Sequence, residues 1–367
     1  MQPPLFATPP ESICLLRLSA LGDACHALAV ARTVQDAWPS TRLTWIIGKL
    51  EHKLLGHTPG IEFIVLDKQA GRSGYAQLRH ALQGRRFDAL LHMQLALRAS
   101  LAAALVPARF KVGFDRARAR ELQWLVTNVR IEPRQREHVL DSLFGFAARL
   151  GVTTRSLRWD IPLPAAALAY AERAIPESSR PTLVISPCSS HAQRNWSADR
   201  YAALADHAVA SHGMDVLLCG GRSELELRSA ADIVRSMRHP CRNLVGKDTL
   251  LELLATLQRA TVLVSPDSGP AHMATTVGTP VIGLYAATNP ARSGPYCSQS
   301  WCVDRYEQAA LRFRGRPAAE LAWTEKIEEP GVMDLVTVQD VADKLDELMQ
   351  SGAPRTHRDI MRALSIQ

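Results

Sequence analysis

Two hydrophobic periods alternate along this chain. Short, unbroken apolar runs at Ile13–Leu18, Leu43–Ile47, Phe63–Leu66, Ala89–His92 and Lys111–Phe114 have the length and composition of buried strands. Between them, at Ala24–Trp38, Glu51–His57, Tyr75–Gln83 and Ala99–Val106, apolar positions recur every three or four residues, the spacing that gives a helix one apolar face. Strand and helix in strict turn predict a parallel sheet covered on both faces. His138–Leu150 predicts an amphipathic helix, after which Gly151–Pro164 loses periodicity and carries two prolines. A domain boundary is expected there, between residues 13–160 and 161–350, with a disordered lead-in at 1–12 and a tail at 351–367.

The second series opens with a short helix at Ala165–Ala174. Its strands are predicted at Leu183–Ser186, Val216–Cys219, Asn243–Val245, Val262–Val264 and Val281–Tyr285. Its helices are predicted near Tyr201–Ser211, Glu224–Met237, Leu250–Arg259, Ala271–Val277 and Thr337–Met349. The fold class is therefore α/β, with two doubly wound domains expected to face a central cleft, and ligands expected at the carboxyl ends of the strands.

Composition changes this picture in one respect. The 367 residues, 47% hydrophobic, suffice for two full cores, and the net charge of +7, mostly arginine, calls for an acidic partner bearing phosphate or carboxylate. No basic run is interleaved with aromatics, so an anionic lipid headgroup fits better than nucleic acid. The seven cysteines form no CxxC pair and several fall in strands, which suits reduced, buried thiols. The N-terminus lacks the basic and apolar regions of a signal peptide, and no apolar run approaches the roughly 18 residues of a membrane span. A cytoplasmic protein able to sit on a membrane surface is expected.

The candidate chemistry lies in strand-to-helix loops. In VLVSPDSGPAHMATTVGTPVIGLY, Ser268 is placed to cap a helix beginning with Gly269 and Pro270, whose free N–H groups suit a phosphate or pyrophosphate. Asp267 and His272 flank it; the acid suits sugar hydroxyls, although Asp267 and Ser268 also make ordinary helix caps. The loop SPCSSHAQRNW offers Ser189, Ser190 and Arg194, a guanidinium suited to a diphosphate or simply to the surface. GGRSE places Glu224 where it could accept ribose hydroxyls or favour a helix's first turn. In SALGDA, Asp23 is a candidate general base for a hydroxyl, or an N-cap.

The motifs SALGDACHALA, SS-x3-RNW, GGRSE, SPDSGPAHMA and TPVIGLYAATNPAR together resemble the heptosyltransferases of lipopolysaccharide core synthesis, from about Ile13 to Met349. The resemblance implies a GT-B architecture of two Rossmann-like domains, an amino-terminal one for the acceptor and a carboxy-terminal one for ADP-heptose. LRLSALGD and DxxHALA look most like the enzymes that add the first heptose to Kdo on lipid A. On this resemblance Asp23 is the base; Ser189, Ser190 and Arg194 hold the donor diphosphate; Glu224 contacts the adenosine ribose; Asp267 binds the heptose; and Ser268, Gly269 and His272 shape the diphosphate site. Arg194 stands where many members have lysine, and AATNP replaces the more usual Gly-Pro-Thr-Asp-Pro.

An inverting, metal-independent transfer without a cofactor is implied, on the cytoplasmic face of the inner membrane. Lys68, Arg72, Arg98, Arg116, Arg118 and Arg120 are candidates for the anionic acceptor, with a solvated basic loop as the plainer reading of RARAR. A type II or III heptosyltransferase, a sugar-nucleotide epimerase and a non-catalytic nucleotide-binding protein are the alternatives. A dinucleotide dehydrogenase is disfavoured because SALGDA lacks G-x-G-x-x-G.

Overall fold

The computed structural model describes residues 3–176 and 180–352 and divides into two compact units, 1–162 and 163–367. In the first, β1 (Ser12–Leu16), α1 (Leu21–Ala37), β2 (Arg42–Gly48), α2 (Lys49–Leu55), β3 (Ile61–Leu66), α3 (Gly71–Ala81), β4 (Phe87–His92), α4 (Leu97–Leu105) and β5 (Ala108–Gly113) alternate as the periodicity predicts. A two-residue strand, β6 (Val129–Arg130), and α5 (Val139–Leu150) complete the unit. The six strands are parallel, in the order β3-β2-β1-β4-β5-β6. β1 is buried along its whole length, which is why its sequence after Ser12 is continuously apolar rather than alternating.

The second unit runs α6 (Ala165–Ala174), β7 (Thr182–Ile185), α7 (Ala198–His212), β8 (Asp215–Leu218), α8 (Glu224–Ser236), β9 (Arg242–Asn243), α9 (Leu250–Arg259), β10 (Val262–Pro266), α10 (Gly269–Thr276) and β11 (Val281–Tyr285). There follow α11 (Pro290–Ser293), β12 (Val303–Asp304), α12 (Tyr306–Arg314) and α13 (Val338–Gln350). Its parallel sheet reads β12-β11-β10-β7-β8-β9. Counted within each unit, both sheets have the doubly wound order 3-2-1-4-5-6. The order reverses between β1 and β4 in one sheet and between β7 and β10 in the other, so the loops leaving those strands flank a crevice that no crossing helix covers.

Two expectations need correction. The lead-in read as disordered is packed from Pro3 onward: Leu5 and Phe6 donate backbone hydrogen bonds to Arg149 and Leu150 at 3.1 and 3.0 Å, and the Phe6 ring meets Trp38 and Phe110 edge-on. Proline-rich, aperiodic sequence concealed a segment held by backbone bonds and one aromatic plug. The units part after Pro162 rather than at 160/161. The segment before it stays with the first unit because Trp159 donates its indole N–H to Cys25 O at 2.9 Å and Arg32 donates to the carbonyls of Trp159 and Asp160. Met1, Gln2 and the tail from 353 onward lie outside the described residues.

Candidate functional site

In the second unit the loops after β7 and β10 meet at the reversal of strand order. Arg194, 9% exposed, is held from one side by Glu328, which accepts from Nε at 2.7 Å and pairs with Nη2 at 2.6 Å. Its Nη1 lies 3.6 Å from Asp267 Oδ2, so two predicted site residues come together. Burial pushes the Glu328 carboxyl up, and the hydrogen bond and charge of Arg194 outweigh it, holding the group below its ordinary range. Lys326 is pushed down, first by burial and then by the charge of Arg194. Sequence reasoning missed Glu328: it comes from an aperiodic connection 134 residues after Arg194, and no motif surrounds it.

Ser268 occupies the N-cap position of α10, with Pro270 in the first turn as predicted. Its hydroxyl, however, does not cap the helix. It lies 2.7 Å from the Ser265 hydroxyl and accepts no hydrogen bond from the first turn of the helix. Asp267 and Gly269 stand at the same turn, and His272 is buried one turn along the helix.

Other predicted residues are placed differently. The Ser189 hydroxyl is engaged within its own loop, donating to His191 O at 3.1 Å and accepting from His191 N at 3.2 Å. Ser190 is exposed beside it. Glu224 is exposed on the first turn of α8 and ion-paired with Arg228. The carboxylate that closes the glycine turn is Glu226, accepting from Gly221 N at 2.6 Å and Ser223 Oγ at 2.6 Å in a capping box.

In the first unit, Asp23 lies in the first turn of α1, which starts at Leu21, three residues earlier than the periodicity indicated. Its Oδ2 accepts from Ala20 N at 3.3 Å and forms an ion pair with Arg17, whose Nη1 donates to Met93 O. Arg17 was not singled out from the sequence, although an arginine closing an apolar strand was the available signal. The loops after β1 and β4 are fastened together: Leu18 N donates to Gln94 Oε1 at 2.7 Å, and Gln94 Nε2 and Arg98 Nη2 donate to Ser19 Oγ at 3.2 and 3.1 Å.

The six basic candidates separate into three kinds. Lys68 and Arg98 share the wall of a small hollow with Leu18, Leu66, Asp67 and Tyr75, and Lys68 Nζ lies 3.5 Å from Glu51. Arg72, Arg116 and Arg120 are exposed. Arg118 is instead a structural cation, bound to Asp115, Glu137, Ser142 Oγ and Glu132 O. Alternate arginines in RARAR look alike in sequence, but only one faces the buried carboxylate of Asp115.

Among the described residues, the group with metal-ligating chemistry is elsewhere, on α7 and α13, where Asp346 Oδ1 lies 2.7 and 2.6 Å from Nε2 of His207 and His212. Among the described residues no helix is long and apolar enough to cross a membrane.

The family model described as "Glycosyltransferase family 9 (heptosyltransferase)" matches residues 75–321. The chain is 41% identical to the lipopolysaccharide core heptosyltransferase OpsX of Haemophilus influenzae over 94% of its length and 99% of the relative. Among solved structures it is similar to a glycosyl transferase family 9 protein from Veillonella parvula, with TM-score 0.75, 20% identity, and 94% and 98% of the two chains covered. It is likewise similar to the E. coli heptosyltransferase WaaC with ADP, with TM-score 0.69, 19% identity, and 92% and 99% covered. The chain belongs to glycosyltransferase family 9, the heptosyltransferases.

Proposed function

We propose that this glycosyltransferase moves L-glycero-D-manno-heptose from ADP-heptose to Kdo of the lipopolysaccharide inner core, as a type I heptosyltransferase. Support for core heptosyl transfer comes from the relative named a lipopolysaccharide core heptosyltransferase, and support for the donor from the ADP-bound WaaC structure. The observation that carries the reading is Asp23: its carboxylate, a third exposed, is oriented by Arg17 on the loop leaving the first central strand. A Kdo hydroxyl gives its proton to Asp23 as its oxygen attacks the anomeric carbon. The bond from that carbon to the diphosphate breaks, ADP leaves with the electron pair, and the anomeric configuration inverts.

Arg194, kept in place by Glu328, and the positive end of the α10 dipole suit the charge that develops on the departing diphosphate. Ser189 serves as a loop fastener beside Arg194, Ser190 stays available to a phosphate oxygen, and Asp267 fits the heptose hydroxyls. Glu224 or its neighbour Glu226 would meet the ribose. Lys68, Arg72, Arg98, Arg116 and Arg120 suit the anionic acceptor. No Asp-x-Asp pair occurs in these loops, and the reading invokes neither a divalent metal nor a cofactor. The enzyme would work at the cytoplasmic face of the inner membrane.

The test is ADP release from ADP-heptose with and without Kdo-lipid A, for wild type and Asp23→Ala. Acceptor-dependent release that the substitution abolishes while ADP still binds supports the reading. Release indifferent to acceptor, or sugar product without transfer by mass spectrometry, supports an epimerase, and tight ADP binding without turnover supports a non-catalytic protein. Release only with a heptosylated acceptor supports type II or III.

A further inference from the structure

The first unit exposes an apolar face that neither the core nor the proposed chemistry uses. On α4, Leu97 and Leu101 lie one turn apart and are 45% and 52% exposed, while Ala99, Ala102 and Ala103 face inward. A hollow of about 350 Å³ has both Ala104, at the end of this stripe, and Leu125 in its wall. Leu125 is 69% exposed, and Leu122 and Trp124 beside it are also open to solvent. Single exposed leucines are ordinary; five large apolar side chains on adjoining segments are not.

The loop bearing three of them is firmly held. Gln123, fully buried between them, accepts from Phe114 N at 2.9 Å and donates to His92 O at 2.9 Å. The Ser100 hydroxyl donates to Glu121 O at 3.0 Å, tying the loop to α4. Glu121 and Leu122 both have left-handed backbone, φ 50 and 59°, which neither side chain favours. The buried Gln123 amide and the Ser100 hydroxyl thus fix a turn that presents apolar groups outward.

Charge identifies the occupant. Residues 96–131 hold seven lysines and arginines against two carboxylates, a surplus of five in a chain whose total is +7. Arg98 projects from α4 beside Leu97 and Leu101, and Arg116 and Arg120 precede the apolar turn; all three are exposed. Apolar groups rimmed by cations are the pattern that inserts into an anionic bilayer surface, with the rings and aliphatic groups at headgroup depth and the guanidiniums on phosphate.

We propose that Leu97, Leu101, Leu122, Trp124 and Leu125, with Arg98, Arg116 and Arg120 at their rim, dock this unit on the surface of an anionic lipid bilayer. Arg98 also donates to Ser19, four residues before Asp23, so the docked face is continuous with the loop that carries the base. The use of this face in turnover rests on the lipid-linked acceptor proposed above; binding to lipid does not.

The full chain is therefore mixed with vesicles free of any sugar acceptor, made of neutral phosphatidylcholine alone or with phosphatidylglycerol, and sedimented. Binding is expected to the anionic vesicles only, to fall with added salt, and to weaken by roughly tenfold or more in the double variant Trp124→Ser, Leu125→Ser. Arg116→Glu with Arg120→Glu is expected to lose the preference for anionic vesicles. The Trp124/Leu125 variant should also retain turnover of a water-soluble, deacylated acceptor while losing turnover of the vesicle-bound one. Equal binding to neutral vesicles, undiminished binding by both variants, or a wild-type dimer that the Trp124/Leu125 variant converts to monomer would overturn the proposal, the last by assigning the face to a second copy. Failure of all turnover alongside intact, variant-sensitive vesicle binding would sink the catalytic reading and leave the docking surface standing.

Discussion

Replacing Asp248 with asparagine should stabilise the protein in alkaline solution and leave it nearly unchanged in acid. The carboxyl follows β9, and its Oδ2 is buried without a hydrogen-bond partner. Burial, reinforced by Glu252 and Glu226 and partly opposed by its own backbone N–H and by Arg222, raises its pKa from 3.8 to about 7. Between those values the folded protein keeps a proton that the unfolded chain has released. Stability contributed by the protonated group is therefore fully present below pH 4 and is lost as pH rises to 7. At about 1.4 kcal/mol per pH unit the loss is on the order of 4 kcal/mol, and the half-buried position reduces this to roughly 2 kcal/mol.

The asparagine variant is neutral throughout and escapes that loss. Calorimetric unfolding of both proteins at pH 4.5 and pH 8 should show the variant melting roughly 4–8 °C higher at pH 8, with a much smaller difference at pH 4.5. Groups that titrate in both proteins cancel in the comparison. A difference that is the same at the two pH values would refute the claim that the Asp248 charge is what the fold resists.

Four further outcomes are expected. Asp23→Asn should lower kcat by about 10²–10⁴ with ADP affinity unchanged, measured by steady-state kinetics and calorimetric titration. Arg194→Ala should lower kcat/KM for the donor by about 10²-fold or more, with Arg194→Lys intermediate because charge survives and the fork to Glu328 does not; equal kinetics for all three proteins would remove Arg194 from the donor site. Arg118→Ala should cost about 2–4 kcal/mol in denaturant unfolding by removing the cation shared by Asp115 and Glu137, whereas reversing Arg116 and Arg120 should weaken acceptor use with little loss of stability and intact ADP binding. Gly48→Ala should cost about 2–3 kcal/mol, because its Cβ would stand 2.2 Å from Leu18 O and 2.4 Å from Glu51 Oε2.

The fold was legible where packing writes a period into the chain. β1, α9 and β11 are all buried on their working faces, and their predicted spans agree with the observed ones to within two residues. β6 and β12, two residues each, are too short to leave a period, and α12 has a largely polar face that masks its helical spacing. The loops of the candidate site were legible as turns, because glycine, proline and small polar residues mark strand-to-helix connections. Partnerships within those loops were not. Whether Ser268 caps its own helix or meets Ser265, and whether Glu224 or Glu226 turns inward, depends on side-chain direction that spacing does not encode. Arg17 and Glu328 were missed for a related reason: each acts on a residue that the motifs do reveal, but stands outside those motifs.

The reversed strand order in each sheet has a consequence for how the enzyme acquires its function during synthesis. The β1–β4 and β7–β10 pairs join residues 76 and 79 positions apart in the sequence, whereas β1–β2 and β7–β8 join much nearer ones. Chain closure over the longer intervals costs more entropy and comes after the local pairs, so the loops carrying Asp23 and Arg194, the proposed base and donor-binding residues, acquire their final neighbours late. A nascent or partly unfolded chain can thus hold much of its helix and several paired strands while lacking activity, and activity regained on refolding should trail the recovery of helical signal.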